Sequence, residues 1–168
     1  VLKDNSAIAG QLHSIAQHYE LPPNPKILDI GCGKGFLLYD FLKIIPGAEI
    51  YGIDISSYAI ANSKEEIRDR LQVGSATALP WPDHHFDLVI SIATIHNLDL
   101  DGVKLALREL ERVSRGHKWI KLGGYNTPEE KIELDKWNVV AKTFMYCNEW
   151  EALFKEVGYT GDYYWFLP

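Results

Sequence analysis

The stretch that most constrains the fold is KILDIGCGKG, at residues 26–35. Its first half is a short apolar run typical of a buried strand, and its second half carries glycine at positions 31, 33 and 35. An apolar segment with helical character follows at residues 36–45. A strand that passes through glycines into a helix is typical of the first unit of an open α/β sheet, where a ligand can approach the backbone of the turn closely.

The remaining sequence alternates between strand and helix patterns. The predicted strands are 26–30, 49–54, 71–73, 86–92, 117–123 and about 161–167, and the predicted helices are 5–19, 34–45, 56–70, 101–115, 128–141 and 148–157. This alternation predicts an α/β fold with a doubly wound, mostly parallel sheet of six or seven strands and helices on both faces. At 168 residues without an internal linker, we expect a single domain.

Composition narrows the class of partner. A net charge of −6 disfavours a protein that holds nucleic acid by bulk electrostatics, so it favours a small molecule or a protein. The two cysteines, Cys32 and Cys147, give neither a disulfide framework nor zinc-ligand spacing, and the six histidines are scattered. No apolar run approaches the roughly 18–20 residues of a membrane span. We therefore expect a cytoplasmic protein without a metal or a membrane partner.

The details of the glycine turn decide between ligands. A dinucleotide fingerprint needs a small residue at the position occupied by Phe36, and Asp29 would repel a pyrophosphate. A ligand with a positive charge and no phosphate fits better. Asp54 ends the second predicted strand, where a carboxylate can accept hydrogen bonds from both hydroxyls of an adenosine ribose. The alternative is that Asp54 interacts only with the amino end of the following helix.

Four motifs occur in a definite order: LDIGCGKG at 28–35, GIDIS at 52–56, a loop that begins GSATALP at 74–80 and reaches Asp83, and FDLVIS at 86–91 with IHNL at 95–98. Together they resemble the class I S-adenosylmethionine-dependent methyltransferases, in particular the branch acting on small molecules. The resemblance implies a Rossmann-like methyltransferase fold and S-adenosylmethionine as cofactor. It also divides the domain into an amino-terminal helical segment (1–22), a cofactor-binding core (26–124) and an aromatic carboxyl-terminal segment (125–168).

The resemblance also implies roles for individual residues around the cofactor. Ser75 stands where the family commonly has an aspartate that accepts from the adenine amino group, and a serine accepts that bond more weakly. The implied cofactor-binding residues are Asp29, Gly31, Cys32, Gly33 and Gly35 around the methionine part, Asp54 at the ribose, Ile55, Ser75 and Ala76 at the adenine, and Ser91 and Ile92 beneath the methyl group.

The acceptor side is less defined. His96 follows the fourth strand and is the candidate general base or orienting group, with loop capping or a bond to the cofactor as the alternative. Tyr125 and Asn126 follow the fifth strand and are candidate acceptor-binding residues. Strand four lacks the Asn/Asp-Pro-Pro-Tyr sequence of enzymes that methylate exocyclic or amide nitrogen, and no Pro-Cys nucleophile is present.

Four functions remain open. The first is methyl transfer to an unidentified small metabolite by in-line displacement. The second is methylation of protein or RNA, and the third is a catalytically silent subunit that binds S-adenosylmethionine. A nicotinamide oxidoreductase is disfavoured by Phe36 and Asp29. The sequence leaves the acceptor and the oligomeric state undetermined.

Overall fold

A computed structural model describes residues 14–15, 17–137 and 139–166. Of the predicted helix 5–19, residues 14, 15, 17, 18 and 19 lie within this part of the chain; the first four are helical and Tyr19 lies in a turn. Residues 5–13 and 16 of that prediction lie outside the described residues.

The centre of the molecule is a parallel sheet. Within the described residues it has six strands in the order β3-β2-β1-β4-β5-β6, and each neighbouring pair is parallel. The strands are β1 (Lys26–Ile30), β2 (Glu49–Asp54), β3 (Leu71–Val73), β4 (Phe86–Ile92), β5 (Ser114–Gly123) and β6 (Asp162–Phe166). The predicted doubly wound α/β class is confirmed.

Helices connect the strands and cover the sheet. They are α1 (Phe36–Ile44), α2 (Ser57–Ala61), α3 (Leu100–Val113), α4 (Pro128–Trp137) and α5 (Cys147–Val157), with 3₁₀ turns at Glu65–Arg70 and Ile95–Asn97. The strand pattern explains why both faces need cover: β1 and β4 are almost wholly buried, as expected for central strands between two helical layers.

Two apolar clusters form the core, one on each face. On one face, side chains of α3 and α5 such as Leu107 and Trp150 pack with Val89 of β4 and Ile120 of β5. On the other, Phe41 of α1 packs in a cluster with the alternate strand residues, among them Ile27, Leu88 and Ile90, and with Ile15 and Tyr19 near the amino terminus. Every second residue of a strand faces the same layer, so the two clusters interleave along each central strand.

The prediction of one continuous helix over residues 56–70 is wrong. Ser56 caps α2 by accepting from Ala59 N at 3.1 Å, but α2 ends at Ala61. The Asn62 amide and the Ser63 hydroxyl donate to the carbonyls of Tyr58 and Ile60, at 2.8 and 2.7 Å. These short polar side chains compete with the backbone for helix hydrogen bonds, so the helix stops and a separate 3₁₀ turn follows.

Other boundaries differ by one to four residues. The helix predicted at 101–115 ends at Val113, and β5 begins at the next residue, so the strand predicted at 117–123 starts three residues earlier. The helix predicted at 128–141 ends at Trp137. No glycine or proline marks the change from helix to strand at Ser114. The start of β5 is held instead by pairing with β4, a long-range contact that the local sequence does not reveal.

Candidate functional site

The order of the strands locates the site. The chain winds outward from β1 to β3 and then crosses back to β4, which pairs with the other side of β1. In such sheets a crevice opens at the carboxyl ends of the strands where the winding reverses. The glycine turn after β1, the end of β2 and the segment after β4 all lie at this edge of the sheet, so most of the predicted cofactor residues are brought together there.

The first part of the turn is packed against the segment after β4. The amides of Gly31 and Cys32 donate to Ile53 O at 2.7 and 3.1 Å. Gly31 has φ of +81°, and a Cβ on it would lie 1.9 Å from Thr94 Oγ1, so only glycine fits. Thr94 is held by its own hydroxyl, which donates to Ile92 O at 3.0 Å.

Ala93, between Ile92 and Thr94, has φ of +53°, a left-handed conformation that is uncommon for a residue other than glycine. Such conformations concentrate at functional sites.

The second part of the turn is open. Gly33 has φ of +53°, and a Cβ on it would meet no heavy atom within 4 Å. Its amide donates to Asp54 Oδ2 at 2.8 Å, while Ser56 N donates to Oδ1 at 2.8 Å. The Asp54 carboxylate is thus fixed by two backbone N–H groups beside free space. An ionised carboxylate held in this way keeps lone pairs for further donors such as ribose hydroxyls.

Asp29, unlike Asp54, has no hydrogen-bond donor to its carboxylate among the described residues. Its side chain is 3% exposed. Burial, with a smaller contribution from the neighbouring charge of Asp54, raises the pKa of Asp29 to about 7. A buried carboxyl without a donor or a counter-ion is costly to ionise, so it would gain from a cation placed next to it.

Apolar surface flanks Asp54. Ile55 is 79% exposed, and Val73, the register partner of Asp54 on β3, is 53% exposed. Both residues stand at the carboxyl ends of their strands, where an aromatic base could cover them. Sequence reasoning selected Ile55 and missed Val73, although an apolar residue at the end of a short strand was a usable signal.

The segment after β3 begins next to Asp54, since Gly74 N donates to Asp54 O at 2.9 Å. Ser75 and Ala76 follow directly. The Ser75 hydroxyl lies 2.8 Å from Thr77 Oγ1 and accepts from Thr77 N at 3.2 Å. Ser75 is therefore part of a local turn, and its hydroxyl shares its capacity with Thr77.

Ser91 and Ile92 end β4 at the same edge. The Ser91 side chain is fully buried, and its hydroxyl donates to Ile30 O at 3.0 Å, which ties β4 to the end of β1. The side chain of Ile92 is partly buried against the core cluster that contains Phe41. The Ser91 hydroxyl is thus committed to the sheet, and the whole residue is buried within it, so the structure does not place Ser91 on accessible space.

His96 lies in the 3₁₀ turn after β4 and is 2% exposed. Gly123 N, at the end of β5, donates to His96 Nδ1 at 2.8 Å, so the neutral ring carries its proton on Nε2. Burial lowers the pKa of His96 to about 4. With one nitrogen accepting and the other protonated, the ring has no free lone pair for a base, and the arrangement favours the orienting role.

Tyr125 and Asn126 follow β5 as predicted, but they face different surroundings. Tyr125 is buried and packs on the Tyr146 ring with centroids 4.4 Å apart. Asn126 lines a cavity of about 410 Å³ together with Tyr146, Asn148 and Glu149. Of the two candidates, Asn126 is the one placed on accessible space.

The cysteines have packing roles. Cys32 is buried, and its sulfur lies 2.8 Å from where a Cβ on Gly52 would be, so a small residue is needed on each side. Burial raises the pKa of both the Cys32 and the Cys147 thiols, which keeps them protonated.

In the part of the chain that the structure describes, no group of three His, Cys, Asp or Glu side chains could hold a metal ion. Likewise, none of the described helices is both long and apolar enough to cross a bilayer.

Comparison with known proteins agrees with this geometry. A family profile described as "Methyltransferase domain" matches residues 28–120, more than half of the chain. Sterol 24-C-methyltransferase ERG6B from Gibberella zeae is 30% identical over 143 residues, covering 77% of this chain and 37% of the fungal protein. The tRNA (carboxymethyluridine(34)-5-O)-methyltransferase of Arabidopsis thaliana is 31% identical over 132 residues, covering 77% and 31%. The chain thus spans less than two fifths of the length of these curated relatives.

Among solved structures, a SAM-dependent methyltransferase from Archaeoglobus fulgidus superposes with a TM-score of 0.74 at 17% identity, covering 92% of this chain and 69% of that one. At this identity the likeness shows the fold. The family profile, the ordered motifs and the strand order agree, and the chain belongs to the class I S-adenosylmethionine-dependent methyltransferases.

Proposed function

We propose that this chain binds S-adenosylmethionine at the carboxyl ends of β1, β2 and β4 and transfers its methyl group to a small-molecule acceptor. The observation that carries the proposal is the pairing of Asp54 with Gly33. A carboxylate fixed by two amides borders a glycine with open space above it. That combination suits a ribose whose hydroxyls donate to Asp54 while the rest of the ligand passes over the turn.

In this proposal each end of the cofactor meets a different surface. Asp29 is a buried carboxyl near the glycine turn, so it suits the positively charged methionine part. Ile55 and Val73 offer exposed apolar surface for the adenine. A sulfonium is a good leaving group, so holding the acceptor, methyl and sulfur in line supplies much of the rate. The residues of this chain would orient the reactants and exclude water.

Binding measurements test the donor half of the proposal. Titration calorimetry should give micromolar-range dissociation constants for S-adenosylmethionine and S-adenosylhomocysteine and no heat with NAD. Tight NAD binding, or no binding of either adenosyl ligand, would overturn it.

The acceptor is proposed as a small molecule for two reasons. The net charge is −6, and the cavity beside Asn126 is lined by two amide side chains, a tyrosine and a carboxylate, with no cation among them. Incubation with labelled cofactor and a fractionated metabolite pool should label a small product.

The runner-up is methylation of RNA, favoured by the likeness to the Arabidopsis tRNA enzyme. Label that enters tRNA and no small molecule would establish this alternative. Adenosyl-ligand binding with no labelled product in metabolite, RNA or protein pools would favour the silent subunit.

A further inference from the structure

Arg112 of α3 makes three hydrogen bonds to the loop between β3 and β4, in addition to the backbone bonds that His84 N and His85 N donate to Arg112 O and Val113 O at 2.9 and 2.8 Å. Arg112 has five N–H donors, and all five are used. Its Nε and one Nη bind both oxygens of Glu109, at 2.7 and 2.8 Å. The other bonds reach into the loop: Leu79 O at 3.0 Å, Trp81 O at 2.8 Å and Asp83 Oδ1 at 2.8 Å.

Glu109 completes the attachment from the same helix. Its Oε2 accepts from Leu79 N at 2.7 Å, so both backbone polar groups of Leu79 bind α3. The Leu79 side chain is 5% exposed and belongs to the apolar cluster around Leu107. The loop is therefore attached to the helix by its backbone and by an apolar anchor.

The two prolines explain why the loop needs these partners. Leu79 and Trp81 each precede a proline, which disfavours helical turns and removes the N–H that could have formed a local hydrogen bond. The carbonyls of Leu79 and Trp81 are the two that Arg112 binds. A planar guanidinium with a fixed fork can bind two carbonyls and a carboxylate at once, which an ammonium cannot.

The other end of the loop lies at the proposed cofactor site. Gly74 N is bound to Asp54 O, and Ser75 and Ala76 follow it. Between Ala78 and Gly74 the internal bonds are those of the Ser75 turn, with Ala78 N donating to Ser75 O at 3.3 Å. The position of Ser75 thus depends on two attachments, Asp54 on one side and α3 on the other.

We propose that Arg112, together with Glu109, is a positioning pair that holds the β3–β4 loop so that Ser75 and Ala76 meet the adenine edge of the cofactor. This inference rests on the proposed function and adds residues on a helix that contributes nothing else to the site. Arg112 acts through the loop and does not touch the cofactor.

Arg115 supplies a matched control. It forms a two-point ion pair with Asp87 of similar geometry, at 2.7 and 2.8 Å, but at the amino end of β4, away from the site. Arg115→Ala therefore removes a comparable ion pair without freeing the loop.

The test compares two ligands, S-adenosylhomocysteine and S-inosylhomocysteine, in which oxygen replaces the adenine amino group. Arg112→Ala should raise the dissociation constant for the adenosyl ligand about tenfold, because the loop must then be ordered on binding. It should also reduce the preference for the adenosyl over the inosyl ligand towards one. Arg112→Lys should show both changes to a smaller extent, because an ammonium can keep only part of the bonds that the guanidinium makes. Arg115→Ala should change neither quantity.

Unchanged selectivity in a folded Arg112→Ala protein would overturn the inference, even if its thermal midpoint fell. If Arg112→Ala does not fold, Glu109→Gln and Arg112→Lys provide the same comparison, since each keeps part of the attachment. Failure of the wild-type chain to bind S-adenosylhomocysteine would instead overturn the proposed function. Normal wild-type binding with normal variant selectivity would overturn only the positioning role.

Discussion

Asp54 is the last residue of β2 and Asp29 is the next-to-last residue of the neighbouring β1, yet their surroundings differ. Asp54, at the end of β2, accepts from two backbone amides. Asp29, on β1, is almost completely buried and accepts from no described donor. The first carboxylate has hydrogen-bond donors from the protein itself, and the second has none among the described residues.

The fold alone explains the presence of a carboxylate at Asp54 and does not explain the one at Asp29. A carboxylate that caps a turn and a helix start contributes to folding whether or not a ligand binds. A buried carboxyl without a partner costs stability once it ionises, so its presence needs another reason. The cationic methionine part of the proposed cofactor would supply that reason. The comparison therefore separates a residue that serves both structure and binding from one whose proposed role is binding alone.

The largest expected effect is on stability, in Asp29→Asn. The pKa of Asp29 is 3.8 in the unfolded reference and about 7 in the folded chain. Because the unfolded chain gives up this proton first, the free energy of unfolding should fall between pH 4 and pH 7. From pH 5 to pH 8 the free energy of unfolding of the wild-type protein should fall by about 2–3 kcal/mol, and that of Asp29→Asn should not show this fall. Urea denaturation at both pH values measures this, and parallel profiles for the two proteins would contradict it.

The next effect is on affinity, in Asp54→Ala. Loss of two charge-assisted hydrogen bonds to the ribose should weaken S-adenosylhomocysteine binding by about 100-fold or more. Calorimetric titration measures the change. The 2′-deoxy form of the ligand provides the control: removing one hydroxyl should lower the affinity of the wild-type protein by less than Asp54→Ala lowers the affinity for the complete ligand. An unchanged dissociation constant would remove Asp54 from the proposed site.

A smaller effect is the pH dependence of binding. Below pH 7 Asp29 holds its proton and offers no charge to the cationic methionine part, so S-adenosylmethionine affinity should rise with pH by up to about tenfold per unit and level off above 7. Asp29→Asn should bind weakly with a flat profile. A wild-type profile that is equally flat between pH 5.5 and 8 would show that Asp29 does not sense the ligand charge.

The smallest effect extends the comparison to the 3₁₀ turn after β4, where His96, like Asp54, accepts a hydrogen bond from a backbone amide. His96→Ala leaves the buried Gly123 N–H without an acceptor and should cost about 1–3 kcal/mol of stability. His96→Asn can place a carbonyl oxygen near the position of Nδ1 and should lose less. Equal losses in thermal or urea denaturation would mean that the bond to Gly123 is unimportant.

The strands were predictable because continuous apolar runs such as 86–92 are bounded by turn residues, and their burial in a two-layered sheet leaves few alternatives. The helix after β2 was not, since Asn62 and Ser63 stop it through hydrogen bonds that composition alone does not reveal. Local pattern also gave no sign of the start of β5, which is set by pairing with Phe86.

The predicted site shows the same division. Gly31, Gly33 and Asp54 were selected from order and spacing, and the fold brings them to one edge of the sheet. The partner of His96 is 27 residues away, and that of Arg112 about 30 residues away, so no local pattern indicates either bond. Glu109 and Arg112 at a spacing of three were visible as a helix pair, but their role depends on a loop whose prolines leave carbonyls to be bound.

The packing of Thr94 onto Gly31 has a kinetic consequence. These residues belong to the two halves of the winding and meet only when β4 has paired with β1. Contacts between segments so far apart in sequence carry a large loop-closure cost and slow folding. If this pairing forms after the folding transition state, a bound ligand would leave the folding rate nearly unchanged and slow unfolding instead. Cofactor in the cell would then lengthen the lifetime of the folded protein without changing its folding rate.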